Sequence, residues 1–167
     1  MKALRCFNRQ KTRAVDLRLL RRIGLSLLEE LGAEEWEIAV HLVGSDEMTQ
    51  VNQTFLDHEG PTDVITFDYS KEEGAAGWRG EIFICVDEAV AQARRFRCRW
   101  QWETARYLAH GLLHIQGHDD TRPGPRRRMK RRENKLLKDL SRRFDLGKLE
   151  RRKNGRARQQ NPGPLAR

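Results

Sequence analysis

Residues 110–120 read H-G-L-L-H-I-Q-G-H-D-D. His110 and His114 are four apart, so a helix stacks them on one face, a turn from each other. Gly117 ends such a helix readily, because without a Cβ it enters the left-handed region at no steric cost. The chain then doubles back and offers His118, Asp119 and Asp120 to the same place. Two imidazoles on a rigid helix plus a third ligand from the following turn make an open tetrahedral metal site, with one position left for water.

Positions 110, 114, 117 and 120 follow H-x-x-x-H-x-x-G-x-x-D. This frame is similar to that of zincin metalloproteases, where a third ligand follows a glycine turn. Those enzymes carry Glu directly after the first His, as general base. Here that position is Gly111, which cannot take a proton. The metal frame is present and the protease base is missing.

Around this motif the chain of 167 residues reads as one domain with a basic tail. Residues 1–120 carry 15 Lys/Arg against 20 Asp/Glu, whereas 121–167 carry 18 against 4. A cationic segment on an acidic, metal-bearing body points to a polyanionic partner, with RNA the leading case. Three cysteines (Cys6, Cys85, Cys98) are an odd, sparse set, expected as reduced thiols in a cytosol. No apolar run approaches a membrane span, and the first residues lack a signal-peptide core.

Hydrophobic spacing predicts a helix over 14–31, closed by Gly32, and an alternating strand over Trp36–Val43. Ser45 is a plausible N-cap for a helix in which Met48, Val51, Asn52 and Phe55 share a face. Residues 63–69 and 81–86 read as strands flanking a glycine-containing loop. Asp87 is expected to cap a helix from about 88 to 98, and a second helix over about 101–116 carries the histidines. After the prolines ending at Pro125, a last helix places Met129, Glu133, Leu136, Leu137, Leu140 and Phe144 on one stripe. The four tryptophans read as core or helix-junction residues, and His41 as a sheet-face residue. This order implies a mixed sheet in a layered α/β or α+β domain.

Three stretches, taken together, resemble the YbeY family of bacterial metal-dependent endoribonucleases linked to ribosomal RNA maturation. They are V-N-x-x-F with P-T-D-V-I-T-F (Val51 to Phe67), G-E-I-F-I (Gly80 to Ile84) and H-G-L-L-H-I-Q-G-H-D (His110 to Asp119). The resemblance implies an α+β, zincin-like fold with a mixed, about four-stranded sheet flanked by helices. The metal-dependent endoribonuclease domain is expected over 1–146, and residues 147–167, basic and low in apolar residues, are expected to form a disordered tail. The resemblance also implies one Zn²⁺ or another divalent ion, single-stranded rRNA as substrate, association with the small ribosomal subunit, and a cytoplasmic location.

Two positions depart from the family pattern. The third ligand histidine of the family is replaced by Asp120, so the ligand set implied is His110, His114 and Asp120. A carboxylate is an acceptable zinc ligand, though it leaves the ion less positive than a third imidazole would. Leu56 stands where the family places an arginine facing the metal, which leaves the catalytic residue unassigned. Arg79, Arg106 or His58 are the candidates to supply what Leu56 cannot. His118 is expected beside the site, as the rival to Asp120 for the third ligand position, and Asp119 in the turn. The competing readings are a non-catalytic RNA- or ribosome-binding factor with a structural metal and, disfavoured by Gly111, a metalloprotease.

Overall fold

The computed structural model describes residues 1–56 and 62–152. The elements run β1 (Lys2–Asn8), α1 (Leu17–Glu30), β2 (Trp36–Val43), α2 (Ser45–Leu56), β3 (Val64–Asp68), β4 (Trp78–Cys85), α3 (Val86–Phe96), α4 (Trp100–Gln116) and α5 (Pro123–Arg143), followed by a 3₁₀ turn at Leu146–Leu149. The four strands form one sheet in the order β1-β2-β4-β3. β1 and β4 flank β2 in parallel, and β3 pairs antiparallel with β4. This is the mixed, four-stranded α+β arrangement that the sequence implies.

β1 is the strand that the hydrophobic pattern does not announce. An edge strand needs few apolar residues, and of its seven only Leu4 is fully buried. Period-2 alternation is clearest in β2, where Ile38, Val40 and Leu42 join Ile82 and Ile84 of β4 on the main core face. The opposite face, with Val43, Phe83 and Cys85, is covered near its C-terminal edge by Met48 of α2. His41 stacks between Phe7 and Phe83 on that face, apart from the histidine motif.

α4 is the helix on which the site is built, and it lies hard against the sheet. A Cβ on Gly111 would come within 2.8 Å of Ile82 Cγ2, and one on Gly80 within 2.9 Å of Ile115 Cδ1. Glycine at both positions lets the helix approach closely enough to bury Leu108, Leu112 and Leu113 completely.

Two expectations need correction. Asp87 does not cap its own helix, because β4 runs straight into α3 at Val86 with Cys85 as N-cap. Instead its carboxylate accepts a hydrogen bond of 2.7 Å from the Ser45 backbone N–H, at the start of α2. The domain boundary at residue 146 is also too early. Leu149 is fully buried, its carbonyl accepts from the Asp16 N–H, and Glu150 bridges Val15. A single apolar residue in a charged run is too weak a signal to find from sequence. The remainder of the expected tail, residues 153–167, lies outside the described residues. Among the described residues no helix is long and apolar enough to cross a membrane.

Candidate metal centre

α4 presents His110 and His114 on one face and stops at Gly117, which has φ 110° and donates its N–H to the carbonyls of Leu113 and His114. The turn that follows is held by Asp119. Its carboxylate accepts from the Thr121 N–H (2.8 Å), the Thr121 hydroxyl (2.6 Å) and Arg122 Nε (3.3 Å). These bonds hold its carboxyl well below the usual carboxylate range, near pKa 2. The turn carries Asp120 back over the two imidazoles.

The three candidate ligand atoms converge. His110 Nε2 and His114 Nε2 are 3.1 Å apart, and Asp120 Oδ2 lies 3.4 and 3.3 Å from them. Tetrahedral zinc with bonds of about 2.0–2.1 Å needs its donors about 3.3 Å apart. The observed triangle therefore already has the size that a zinc ion requires. Among the described residues this is the one His/Cys/Asp/Glu group able to hold a metal.

The far nitrogens of the two rings decide where the protons sit. His114 Nδ1 is 3.1 Å from the His118 carbonyl oxygen, which can only accept, so Nδ1 carries the hydrogen. His110 Nδ1 is 2.9 Å from Glu133 Oε2. Burial alone would raise the Glu133 pKa, but hydrogen bonds from His110 and Arg106 bring it down to about 2. Glu133 is thus ionised and accepts from His110 Nδ1–H. In the neutral tautomers both Nε2 lone pairs then face each other and a carboxylate oxygen across a 3 Å gap. Only a cation or a proton relieves that arrangement. The His110 pKa rises above its ordinary value: burial opposes the shift, and the bond and charge of Glu133 outweigh it.

Glu133 is the candidate site residue that the sequence pattern did not single out. It sits on the apolar stripe of α5 at 4% exposure, between Met129 and Leu136. An acid inside such a stripe must meet a buried partner, and that was the available signal. Carboxylate–histidine–metal relays of this kind fix the tautomer and aim of the ligand ring.

The other expected residues fall as follows. His118 contributes its backbone carbonyl to His114, and its ring is not in the ligand group. Leu56, at the end of α2, lines a cavity of about 580 Å³ together with Asn52, Asp63, Thr66, His110, His114 and Asp120. Arg79 does not line this cavity; it is ion-paired to Glu37 at the start of β4. Arg106 lies one turn before His110 and is held by Glu133 (2.8 Å) and Asn134 (2.9 Å). His58 lies outside the described residues.

Comparison with known proteins identifies the family. The family profile described as Endoribonuclease YbeY matches residues 5–141. A Chlorobium luteolum protein named Endoribonuclease YbeY is 37% identical over 78% of this chain and 93% of its own length. A Chlorobaculum parvum protein of the same name is 35% identical over 80% of this chain and 92% of its own. An Anaeromyxobacter relative, again so named, is 37% identical over 72% of this chain and 63% of its own. A solution structure of a Thermotoga maritima protein superposes with a TM-score of 0.57 at 23% identity, covering 84% of this chain and 93% of that one, and shares the fold. With a profile match over most of the folded chain and relatives above 30% identity, the chain belongs to the YbeY family.

Proposed function

We propose that this protein is a metal-dependent endoribonuclease that hydrolyses phosphodiester bonds of single-stranded RNA, with ribosomal RNA as its substrate and ribosome biogenesis in the cytoplasm as its setting. The observation that carries the reading is the triangle of His110 Nε2, His114 Nε2 and Asp120 Oδ2 at zinc spacing, in a chain whose relatives are named endoribonucleases. Association with the small ribosomal subunit belongs to the same proposal.

His110, His114 and Asp120 would hold one divalent ion, with zinc favoured by the two imidazoles. When bound, such an ion supplies Lewis acidity, which makes water more acidic and polarises a phosphoryl oxygen. The protein's own contribution is orientation. Glu133 aims His110, the His118 carbonyl aims His114, and Asp119 fixes the turn that delivers Asp120. The cleft opens on both sides of this triangle, along Leu56 and Thr66 on one and Arg106 and Lys130 on the other. An extended single strand fits such a channel better than an A-form duplex does.

A second reading, a non-catalytic RNA-binding factor with a structural metal, is favoured by one observation. Leu56 supplies neither charge nor hydrogen bond to the cleft wall that it lines. The metalloprotease reading loses on packing as well as chemistry. A side chain at position 111 would run into Ile82 rather than reach the ion. The test is to assay metal content and incubate the protein with single-stranded RNA, with and without chelator. Cleavage that stops with chelator and in His114→Ala supports the proposal. Binding without cleavage favours the second reading, and cleavage by His114→Ala defeats the metal mechanism.

A further inference from the structure

The cations around the metal triangle are unequally engaged. The cavity of about 340 Å³ on the α5 side is lined by Arg106, Arg126 and Lys130 together with His110, Asp120 and Glu133. Arg106 is held by Glu133 at 2.8 Å, and Lys130 reaches the same carboxylate at 3.5 Å. Arg126 is exposed and has no carboxylate partner among the described residues. Its Nε–H donates to the Asp120 carbonyl oxygen at 2.9 Å. The four N–H groups on its two terminal nitrogens have no acceptor among the described residues.

That one bond gives Arg126 a defined place. Asp120 offers its side chain to the metal and its carbonyl to Arg126, so a single residue fixes the cation relative to the ion. A guanidinium tethered through Nε keeps its outer edge free, which is the edge that meets two phosphate oxygens side by side. The opposite wall, along Leu56, Thr66 and Asp68, carries no cation among the described residues. A polyanion crossing the triangle therefore meets its free positive charge from α5.

Resting on the endoribonuclease reading, we infer that Arg126 is the phosphate-binding residue of this cleft. It grips non-bridging oxygens of the RNA backbone next to the metal triangle and supplies from the first turn of α5 the contact that Leu56 cannot make.

The test uses the full chain and a short fluorescent oligouridylate, with binding followed by anisotropy across a salt series in chelator, so that no cutting occurs. Arg127 is the charge-matched control, since it is exposed and does not line this cavity. Arg126→Ala is expected to weaken binding about tenfold, the loss of one charge-assisted contact. It should also make the slope of log K against log salt shallower by about 0.7, the signature of one fewer phosphate contact on a single strand. Arg127→Ala should leave that slope unchanged. Zinc affinity, read separately by competition with a chromophoric chelator, should stay within about threefold in both variants, because neither removes a ligand. The inference is overturned if the two variants lose affinity and slope alike, or if the unmodified protein does not bind the oligonucleotide. It is also overturned if Arg126→Ala loses zinc as severely as RNA, which would make Arg126 only a prop for Asp120. Cleavage by the unmodified protein with zinc is scored in parallel. Binding without cutting sinks the nuclease reading, while the contrast between Arg126 and Arg127 still decides this one.

Discussion

Replacing Glu133 by Gln changes one atom and separates a metal-site residue from a core ion pair. Glu133 is 4% exposed, and its carboxylate accepts from His110 Nδ1 at 2.9 Å and Arg106 Nη1 at 2.8 Å, with Lys130 Nζ farther off at 3.5 Å. The amide keeps one oxygen and must turn its NH₂ toward one of those donors. One charge-assisted bond, worth about 1.5–3 kcal/mol, is lost and a buried donor is left facing another. The metal-free protein should lose stability of that order in a urea titration. If the retained oxygen still serves His110, it does so as a weaker, neutral acceptor, so the ring is less basic and less firmly aimed. Outer partners of ligand histidines typically carry a factor of about 10–100 in metal affinity, which is about 1.4–2.7 kcal/mol. Competition with a chromophoric chelator at neutral pH reads that factor directly. Lost stability with unchanged zinc affinity would reduce Glu133 to a core ion pair. No change in either quantity would refute the reasoning outright.

The same pair predicts a pH dependence in the metal-free protein. The Glu133 pKa is depressed from 4.5 to about 2, so its contribution is present above 4.5 and lost as pH falls toward 2. The His110 pKa is raised above 6.5, so its contribution is present below 6.5 and lost as pH rises through the raised value. The Tm difference between the unmodified protein and Glu133→Gln, measured in chelator, should peak between these limits; a flat difference contradicts the assignment. Gly111→Ala pushes a Cβ to 2.8–3.0 Å from three atoms of Ile82. An overpacking cost of about 1–3 kcal/mol against a helix-propensity gain of about 1 predicts a net loss of up to about 2 kcal/mol on denaturation. A net gain equal to the full propensity term would show that the contact is not tight. Truncation after Leu146 removes the burial of Leu149, worth about 1.5–3 kcal/mol, and should destabilise the domain. Truncation after Arg152 should make the salt slope for RNA shallower by at most about 0.7 for each of Lys153, Arg156, Arg158 and Arg167. An unchanged slope would make the tail a bystander.

What could be read in the sequence was local. The histidine pair, the glycine stop and Asp120 lie within eleven residues, and helical period plus one left-handed turn suffice to bring them together. β2 could be read from its alternation. The features that escaped depend on distant partners. Glu133 acquires its role from His110, 23 positions away on another helix. Asp87 caps a helix whose first residue is 42 positions earlier. β4 begins at Trp78, three residues before the apolar run suggests, because Trp78 and Arg79 pair with Trp36 and Glu37 of β2, and Gly80, poor in strand propensity, is required there by the close approach of Phe67 and Ile115. The contact that places Arg126 beside Asp120 exists only once the turn after α4 is formed. Arginines on a helix otherwise read as a solvated face.

A divalent ion bound jointly by His110, His114 and Asp120 underlies the proposed activity. X-ray absorption at the zinc edge of the loaded protein tests this most directly. Two imidazole nitrogens at about 2.0–2.1 Å and a carboxylate oxygen at about 2.0–2.2 Å are expected, with the oxygen shell altered in Asp120→Ala and one imidazole lost in His114→Ala. A zinc environment unchanged by both substitutions, or one dominated by sulfur, would contradict it.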